Sequence, residues 1–493
     1  MFGFGGAASS ASLWSARSSL FGTLYGAAGA RGFNSGAGAA GASNDQSAQY
    51  GTGETSAEAP SSNGLLSGFQ WAKGVHTYSF PTHRSAYSYL DASYSHFHGL
   101  TGGQQKAITS VLKCYSSFSN LVFARATGAA ADTASIRLAE ADSQATAYAY
   151  YPSTAESGGD VWFNASHNYY DKPVKGSYAY LTFIHEIGHA LGLKHAHEGG
   201  AQGRIAASHN AMSYTVMTYA SYLGAKITGK YTNAADSYAQ SPMLDDIAAI
   251  QKLYGANYAS NNGAMTYHWS QETGEEFING VGQGKPIGNK VFQTVWDGGG
   301  NDTYDFSNYS HGLSVDLNPG RWTTLGSDQT AVLSAKAHIT APGNIANAYL
   351  YHNNQASLIE NAIGGSGDDK IVGNAAANTL NGGAGADTLA GGKGADVLIG
   401  GAGGDNFIFR PGFGHDAIRD FHDGHFGAGG AHNDILDLRG LGLASFDSLL
   451  SHTADTANGA LITVDAADTI LLSGVTKAQL ATLSANTSDF LFI

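Results

Sequence analysis

The sequence predicts an α/β (α+β) domain followed by an all-β parallel β-roll, and three stretches carry that prediction. Residues 183–197, FIHEIGHALGLKHAH, set one glutamate among four histidines in an apolar helical run. Residues 242–257, PMLDDIAAIQKLYGAN, form a second amphipathic helical pattern, after which helical periodicity nearly vanishes. From Gly364 onward the chain repeats every nine residues. A fixed short period marks a solenoid, because each repeat buries its apolar side chain only by stacking on its neighbours.

At 493 residues the chain is too long for a single core. We divide it into a leader over 1–67, a domain over 68–257 and a repeat-bearing domain over 258–493. The leader is rich in Gly, Ala and Ser, and residues 1–44 carry Arg17 and Arg31 but no acidic residue. Read alone it resembles a transit peptide, yet it lacks the basic start and compact apolar block of a secretory signal. A flexible leader, or the propeptide of a zymogen, is the expectation. TGGQQKAITSVLKCYSSFSNL (101–121) has helical spacing, with Ile108, Val111, Leu112 and Tyr115 on one side. ASIRLAEAD, TAYAYYP and DVWFN read as strands. In the second helix, Pro242 with Asp245 and Asp246 suits the first turn and Gly255 the end.

A net charge of −14 argues against a nucleic-acid partner, and no apolar run is long enough to span a membrane. The single cysteine, Cys114, excludes an intramolecular disulfide and reads as a structural thiol.

The five nonapeptides are GGSGDDKIV, GNAAANTLN, GGAGADTLA, GGKGADVLI and GGAGGDNFI. Their sixth positions are Asp369, Asn378, Asp387, Asp396 and Asp405; their eighth are Ile371, Leu380, Leu389, Leu398 and Phe407. Glycines permit the tight turn, the eighth residue points into a thin core, and carboxylates with turn carbonyls offer hard oxygen ligands suited to calcium. The second repeat has Asn374, Ala376 and Asn378 where Gly and Asp are usual, so a weaker or missing ion is expected there.

His185 and His189, four apart on a helix, lie one turn from each other and can reach one ion. Glu186 beside them can meet a metal-bound water. Gly192 lets the chain reverse and return His195 as a third nitrogen ligand. Three protein ligands with one open position describe a catalytic zinc. His197 is left for the surface or the surroundings of the site. Downstream, SYTVMTY places Met217 in a tight turn with Tyr219 two residues on, which looks like the Met-turn of metzincin proteases.

Together these stretches resemble the serralysins, secreted bacterial zinc metalloproteases of the metzincin clan with C-terminal calcium-binding repeats; WDGGGNDTYDF and LIENAIGGSGDD are similar to that family too. The resemblance spans roughly residues 69–493. It implies a metzincin catalytic domain, one catalytic zinc on His185, His189 and His195, Glu186 as base, and Tyr219 as accessory group and possible zinc ligand. It also implies several structural calcium ions, held by Asp297, Gly299, Gly300, Asp302, Glu360, Gly365, Gly367, Asp369, Gly383, Gly385 and Asp387, with Asp396 and Asp405 following in the repeats. One departure is KHAHEGG, where many relatives have Pro after the third His. The chain end SDFLFI resembles the family's type I secretion signal, and also reads as a plain last strand. The expectation is a secreted, extracellular, monomeric endopeptidase acting on proteins and peptides, exported by type I machinery without an N-terminal signal peptide. Two other readings stay open: a calcium-dependent surface or adhesion protein with an inactive protease-like domain, and a processing protease dedicated to one surface protein.

Overall fold

The computed structural model of the protein describes residues 12–14 (as backbone), 62–91, 94–142, 146–421, 434–483 and 489–492. The rest of the leader up to residue 61, and residues 488 and 493 of SDFLFI, lie outside the described residues.

The first part is built from β1 (Ser12–Trp14), β2 (Val75–Ser79), α1 (Gly102–Phe118), β3 (Val122–Arg125), β4 (Ile136–Ala141), β5 (Ala147–Ala149), β6 (Val161–Asn164), α2 (Tyr178–Ala190) and α3 (Leu244–Tyr254). Thr101 opens α1 with a capping box: its hydroxyl accepts from the Gln104 N–H, and the Gln104 side chain accepts from the Thr101 N–H. The sheet runs β1-β5-β6-β4-β2-β3. The pairs among β6, β4, β2 and β3 are parallel, whereas β5 lies antiparallel to β6. The outer edge of β5 is paired antiparallel by the backbone of β1, with Ser12 opposite Ala149 and Trp14 opposite Ala147.

Strand alternation gives this sheet two buried faces. Ile136, Leu138, Ala147, Val161 and Phe163 pack against α1 and α2. Ala139, Tyr148 and Trp162 face an aromatic layer with Tyr87. A buried bidentate pair, Arg137 Nε to Asp160 Oδ1 at 2.8 Å and Nη2 to Oδ2 at 2.7 Å, anchors that second layer. Cys114 packs against the first core, and burial pushes its thiol up to about 11, as a structural thiol requires.

In the repeats, successive nonapeptides alternate between two sheets, so parallel partners stand eighteen residues apart: Thr379 pairs with Val397, and Lys370 with Thr388. Ile371, Leu380, Leu389, Leu398 and Phe407 fill the space between the sheets and are all 0% exposed. The described part of SDFLFI is a strand, Phe490–Leu491, parallel to Ile435–Asp437. The early strands of this half also reach the first core: Phe292, Trp296, Leu333 and Ala341 pack into it. Val332 and Leu333 bind the loop after the Met-turn, taking hydrogen bonds at their carbonyls from the Ala234 N–H (2.9 Å) and the Thr232 hydroxyl (2.7 Å). No helix among the described residues is long and apolar enough to cross a membrane.

Candidate metal centre and active site

Helix α2 starts at Ser177, whose hydroxyl accepts from the Tyr180 N–H, and from Ala179 to its end every residue is buried. It stops where expected. Gly192 has φ of 105°, and the Leu193 N–H closes back on the Gly188 carbonyl at 2.9 Å. A Cβ on Gly192 would lie 2.2 Å from the Phe69 carbonyl oxygen, so both the backbone angle and the close approach demand glycine. The reversal brings His195 beside the helix. The Nε2 atoms of His189 and His195 are 3.1 Å apart, and one nitrogen from each of His185, His189 and His195 lies within 4.8 Å of the others. Ligands about 2.0–2.1 Å from a tetrahedral ion stand about 3.3 Å from one another, so the spacing fits zinc.

Each imidazole is held at its other nitrogen. His185 Nδ1–H donates to the Val216 carbonyl at 2.8 Å and His189 Nδ1–H to the Leu193 carbonyl at 2.7 Å. His195 Nδ1 meets Glu198 Oε1 at 2.7 Å. These contacts fix the tautomers that present Nε2 to the centre. Burial lowers the pKa of all three, that of His185 to about 4, and mutual repulsion lowers His189 and His195 further; neutral imidazoles are the ligand form.

Glu186 is 0% exposed, and neither carboxylate oxygen has a hydrogen-bond partner. Burial holds its pKa well above the usual carboxylate range. An isolated buried carboxylate is costly unless something outside the chain answers it; a cation held by the adjacent imidazoles would do so. Tyr219 Oη lies 2.7 Å from His195 Nε2, and burial, then the nearby Glu186 charge, raises its pKa. Met217 runs beneath the helix: a Cβ on Gly188 would meet its Sδ at 2.8 Å.

Several participants carried no recognisable sequence signal. Asp246, read as a helix-start acid, accepts from the Thr215 hydroxyl (2.5 Å), the Val216 N–H (2.7 Å) and the Met243 N–H (2.9 Å). It thereby fixes the turn whose Val216 carbonyl holds His185. His197 is half-buried, its ring stacked 5.4 Å from His195 and tilted 5.1 Å from Tyr219. Ala196 donates its N–H to the Met217 carbonyl at 3.0 Å, a bond Pro cannot make. Beside Glu186, a shallow recess is lined by Leu181, Thr182, His185, Glu186 and Tyr231. On the side of β5, Phe69 stacks on Tyr151 at 5.9 Å, and Tyr151 meets His189 edge-on at 5.8 Å.

In the second half, Asp297, Gly299, Gly300, Asp302 and Glu360 gather. Asp297 accepts from the Gly299 N–H and the Tyr267 hydroxyl, both at 2.6 Å, and Glu360 from the Asp302 N–H at 2.7 Å. Asp302 Oδ2 is buried without a hydrogen-bond partner. Burial pushes Asp297 up to about 8 and Glu360 to about 7, the expected behaviour of crowded carboxylates lacking a counter-charge. In the repeats, Asp387 Oδ1 takes the Asp369 N–H, Asp396 Oδ1 the Asn378 N–H and Asp405 Oδ1 the Asp387 N–H. The second oxygens of Asp387 and Asp396 are buried without hydrogen-bond partners. Asp369 differs, since both its oxygens accept backbone N–H groups, from Leu313 and Gly365. Gly383 and Gly385 use positive φ, whereas Gly365 and Gly367 are needed for close approach to Tyr309 and Gly312. Asn378 closes its own repeat, donating to the Glu360 and Asn374 oxygens. Asp416 extends the ladder by accepting the Asp396 N–H at 2.9 Å; an offset of twenty residues instead of eighteen hid it from the period.

The matrixin family model matches residues 101–202, and the peptidase M10 serralysin C-terminal model matches residues 256–428. Serralysin C of Dickeya chrysanthemi is 38% identical over 230 residues, covering 46% of this chain and 43% of its own. Metallopeptidase AprA of Pseudomonas marginalis is 34% identical over 314 residues, 60% of each chain. Metalloprotease AprA of Pseudomonas entomophila (strain L48) is 32% identical over 298 residues, 57% of this chain and 55% of that one. The matches thus span about half the length of these relatives. The matrixin and serralysin C-terminal matches follow one another in the order of the fold, over the same helix, histidine cluster and strand ladder described above: in both parts the chain is similar to the serralysin metalloproteases.

Proposed function

We propose that the protein is a secreted zinc-dependent endopeptidase that hydrolyses peptide bonds of proteins, with its C-terminal roll stabilised by calcium. The observation that carries the reading is Glu186, a fully buried carboxylate with no hydrogen-bond partner beside three converging imidazoles. His185, His189 and His195 would hold the metal. Zinc bound there supplies Lewis acidity to a water and to the scissile carbonyl. Glu186 takes the proton of the attacking water and passes it to the leaving amine. The Tyr219 hydroxyl donates to the developing oxyanion.

The edge of β5 accepts an antiparallel strand, as its pairing with residues 12–14 illustrates. An extended substrate would add there by backbone hydrogen bonds, leaving specificity to side-chain pockets. The Phe69–Tyr151 step lies past the C-terminal end of β5, toward the N-terminal side of an antiparallel substrate.

Calcium would be held by Asp297, Asp302 and Glu360 and by the Asp387, Asp396 and Asp405 ladder. Domain limits near residues 67 and 257, type I export through the C-terminal stretch, and a monomeric extracellular enzyme belong to the same proposal. Hydrolysis of a quenched fluorescent casein in millimolar calcium tests it: activity should vanish with a zinc-selective chelator and return with zinc. Glu186→Gln should abolish turnover while retaining zinc, and a fully active variant would remove Glu186 from the role of base.

A further inference from the structure

We propose that Glu198, held in place by Lys194, is the positioning residue of the third imidazole of the metal centre. The proposal deepens the zinc reading of that site and rests on it.

The three imidazoles are not held alike. Backbone carbonyls orient His185 and His189, so the fold itself fixes those rings. His195 instead depends on a side-chain carboxylate, Glu198 Oε1, at 2.7 Å from Nδ1. Glu198 sits on a loop, and its side chain is 39% exposed, whereas His195 is 2% exposed. An exposed His–Glu pair three residues apart would ordinarily contribute little. Here one partner is buried at the centre, and the carboxylate selects the Nδ1–H tautomer, turns the Nε2 lone pair inward and makes the ring a stronger donor.

A flexible loop would not hold a carboxylate so, and Lys194 supplies the restraint. Lys194 is only 6% exposed. Its ammonium donates to the Gly64 carbonyl, to the Glu198 carbonyl at 2.7 Å and to the Gly203 carbonyl at 2.9 Å. Three donors meet three carbonyls, which is how a buried ammonium avoids its desolvation penalty. The clamp joins the start of the folded chain to both ends of the loop that carries Glu198. The Ala196 N–H ties the same loop to the Met-turn. Loop, carboxylate and imidazole therefore move as one piece.

The test uses the full chain in millimolar calcium, as wild type, Glu198→Gln and Glu198→Ala. Zinc affinity is measured by competition with a chromogenic chelator, and the absorption spectrum of the cobalt-substituted protein reports ligand geometry. Loss of an orienting carboxylate costs about 10–100-fold in metal affinity. Glu198→Ala should weaken zinc binding by about that factor and alter the cobalt spectrum. Glu198→Gln, which keeps an acceptor without the charge, should fall between it and wild type, and circular dichroism should stay unchanged in both. An Ala variant that binds zinc within about twofold of wild type, against that expected loss, with an unaltered cobalt spectrum, overturns the proposal. Wild type that binds zinc without hydrolysing casein sinks the protease reading and leaves the Glu198 comparison decisive. Wild type that takes up no zinc removes both.

Discussion

Tyr219 shows how one hydroxyl acquires a role from its surroundings. Its oxygen lies 2.7 Å from His195 Nε2, while burial and then the nearby Glu186 raise its pKa and keep the proton on the phenol, the state in which, on the proposed mechanism, it would serve as a donor to the reacting carbonyl. Tyr219→Phe should therefore reduce kcat by about 10²-fold, the cost of removing one oxyanion donor, with KM little changed. Steady-state kinetics on a fluorogenic peptide reads this, and an equal loss spread into KM would assign Tyr219 to substrate binding instead. At this scale the ligand types were legible in the sequence, because four-residue spacing on a helix is a local property. The residues that orient them were not. Asp246 reaches the Met-turn from 30 residues away and looked only like a favourable helix start.

Among the elements, the end of α2 is the one on which the centre depends. Every helix must stop, but this one must stop so that His195 returns within reach of His189, and Gly192 makes both the angle and the room. Gly192→Ala places a Cβ against the Phe69 carbonyl at a φ that L-residues avoid, which costs about 1–3 kcal/mol in backbone strain alone. The expected outcome is a lowered Tm together with weakened zinc binding; a variant with wild-type Tm and zinc affinity would show that the turn tolerates a side chain. The strands TAYAYYP and DVWFN were legible from β-rich composition, yet nothing local says that β5 runs against its neighbour while the rest of the sheet is parallel. On the proposed reading, that reversal sets the direction in which a strand added at β5 would lie beside the three imidazoles.

Across the whole molecule, the two halves are coupled through packing and hydrogen bonds, and the second carries crowded carboxylates. Asp297, Glu360, Asp387 and Asp396 have pKa values pushed by burial to about 8, 7, 7 and 7. Each folded value lies above its unfolded one, so without calcium the folded roll is favoured at low pH and loses stability as pH rises from about 4 toward 8. Calcium should cancel that loss, because cations replace the missing protons. Thermal unfolding with a calcium chelator should accordingly show Tm falling between pH 5 and 8, with the slope abolished in millimolar calcium; a calcium-independent pH profile would remove these carboxylates from ion binding. Since Val332 and Leu333 hold the loop bearing Thr232 and Ala234, loosening of the roll should also reach the loop that carries Tyr231.

The sequence by itself determined which groups were available for the proposed chemistry: histidines spaced for one helix face, a glutamate beside them, and a nine-residue period that forces a solenoid with a carboxylate on every turn but one. Such features are written in separations of a few residues, where chain geometry leaves little choice. Only the tertiary structure decided which acceptor holds each imidazole, which strand of the sheet runs against its neighbours, and how Asp416 carries the ladder past the last regular repeat. Those contacts join residues tens to hundreds of positions apart. Their partners are chosen by packing and by the satisfaction of buried polar groups, and neither leaves a period in the chain.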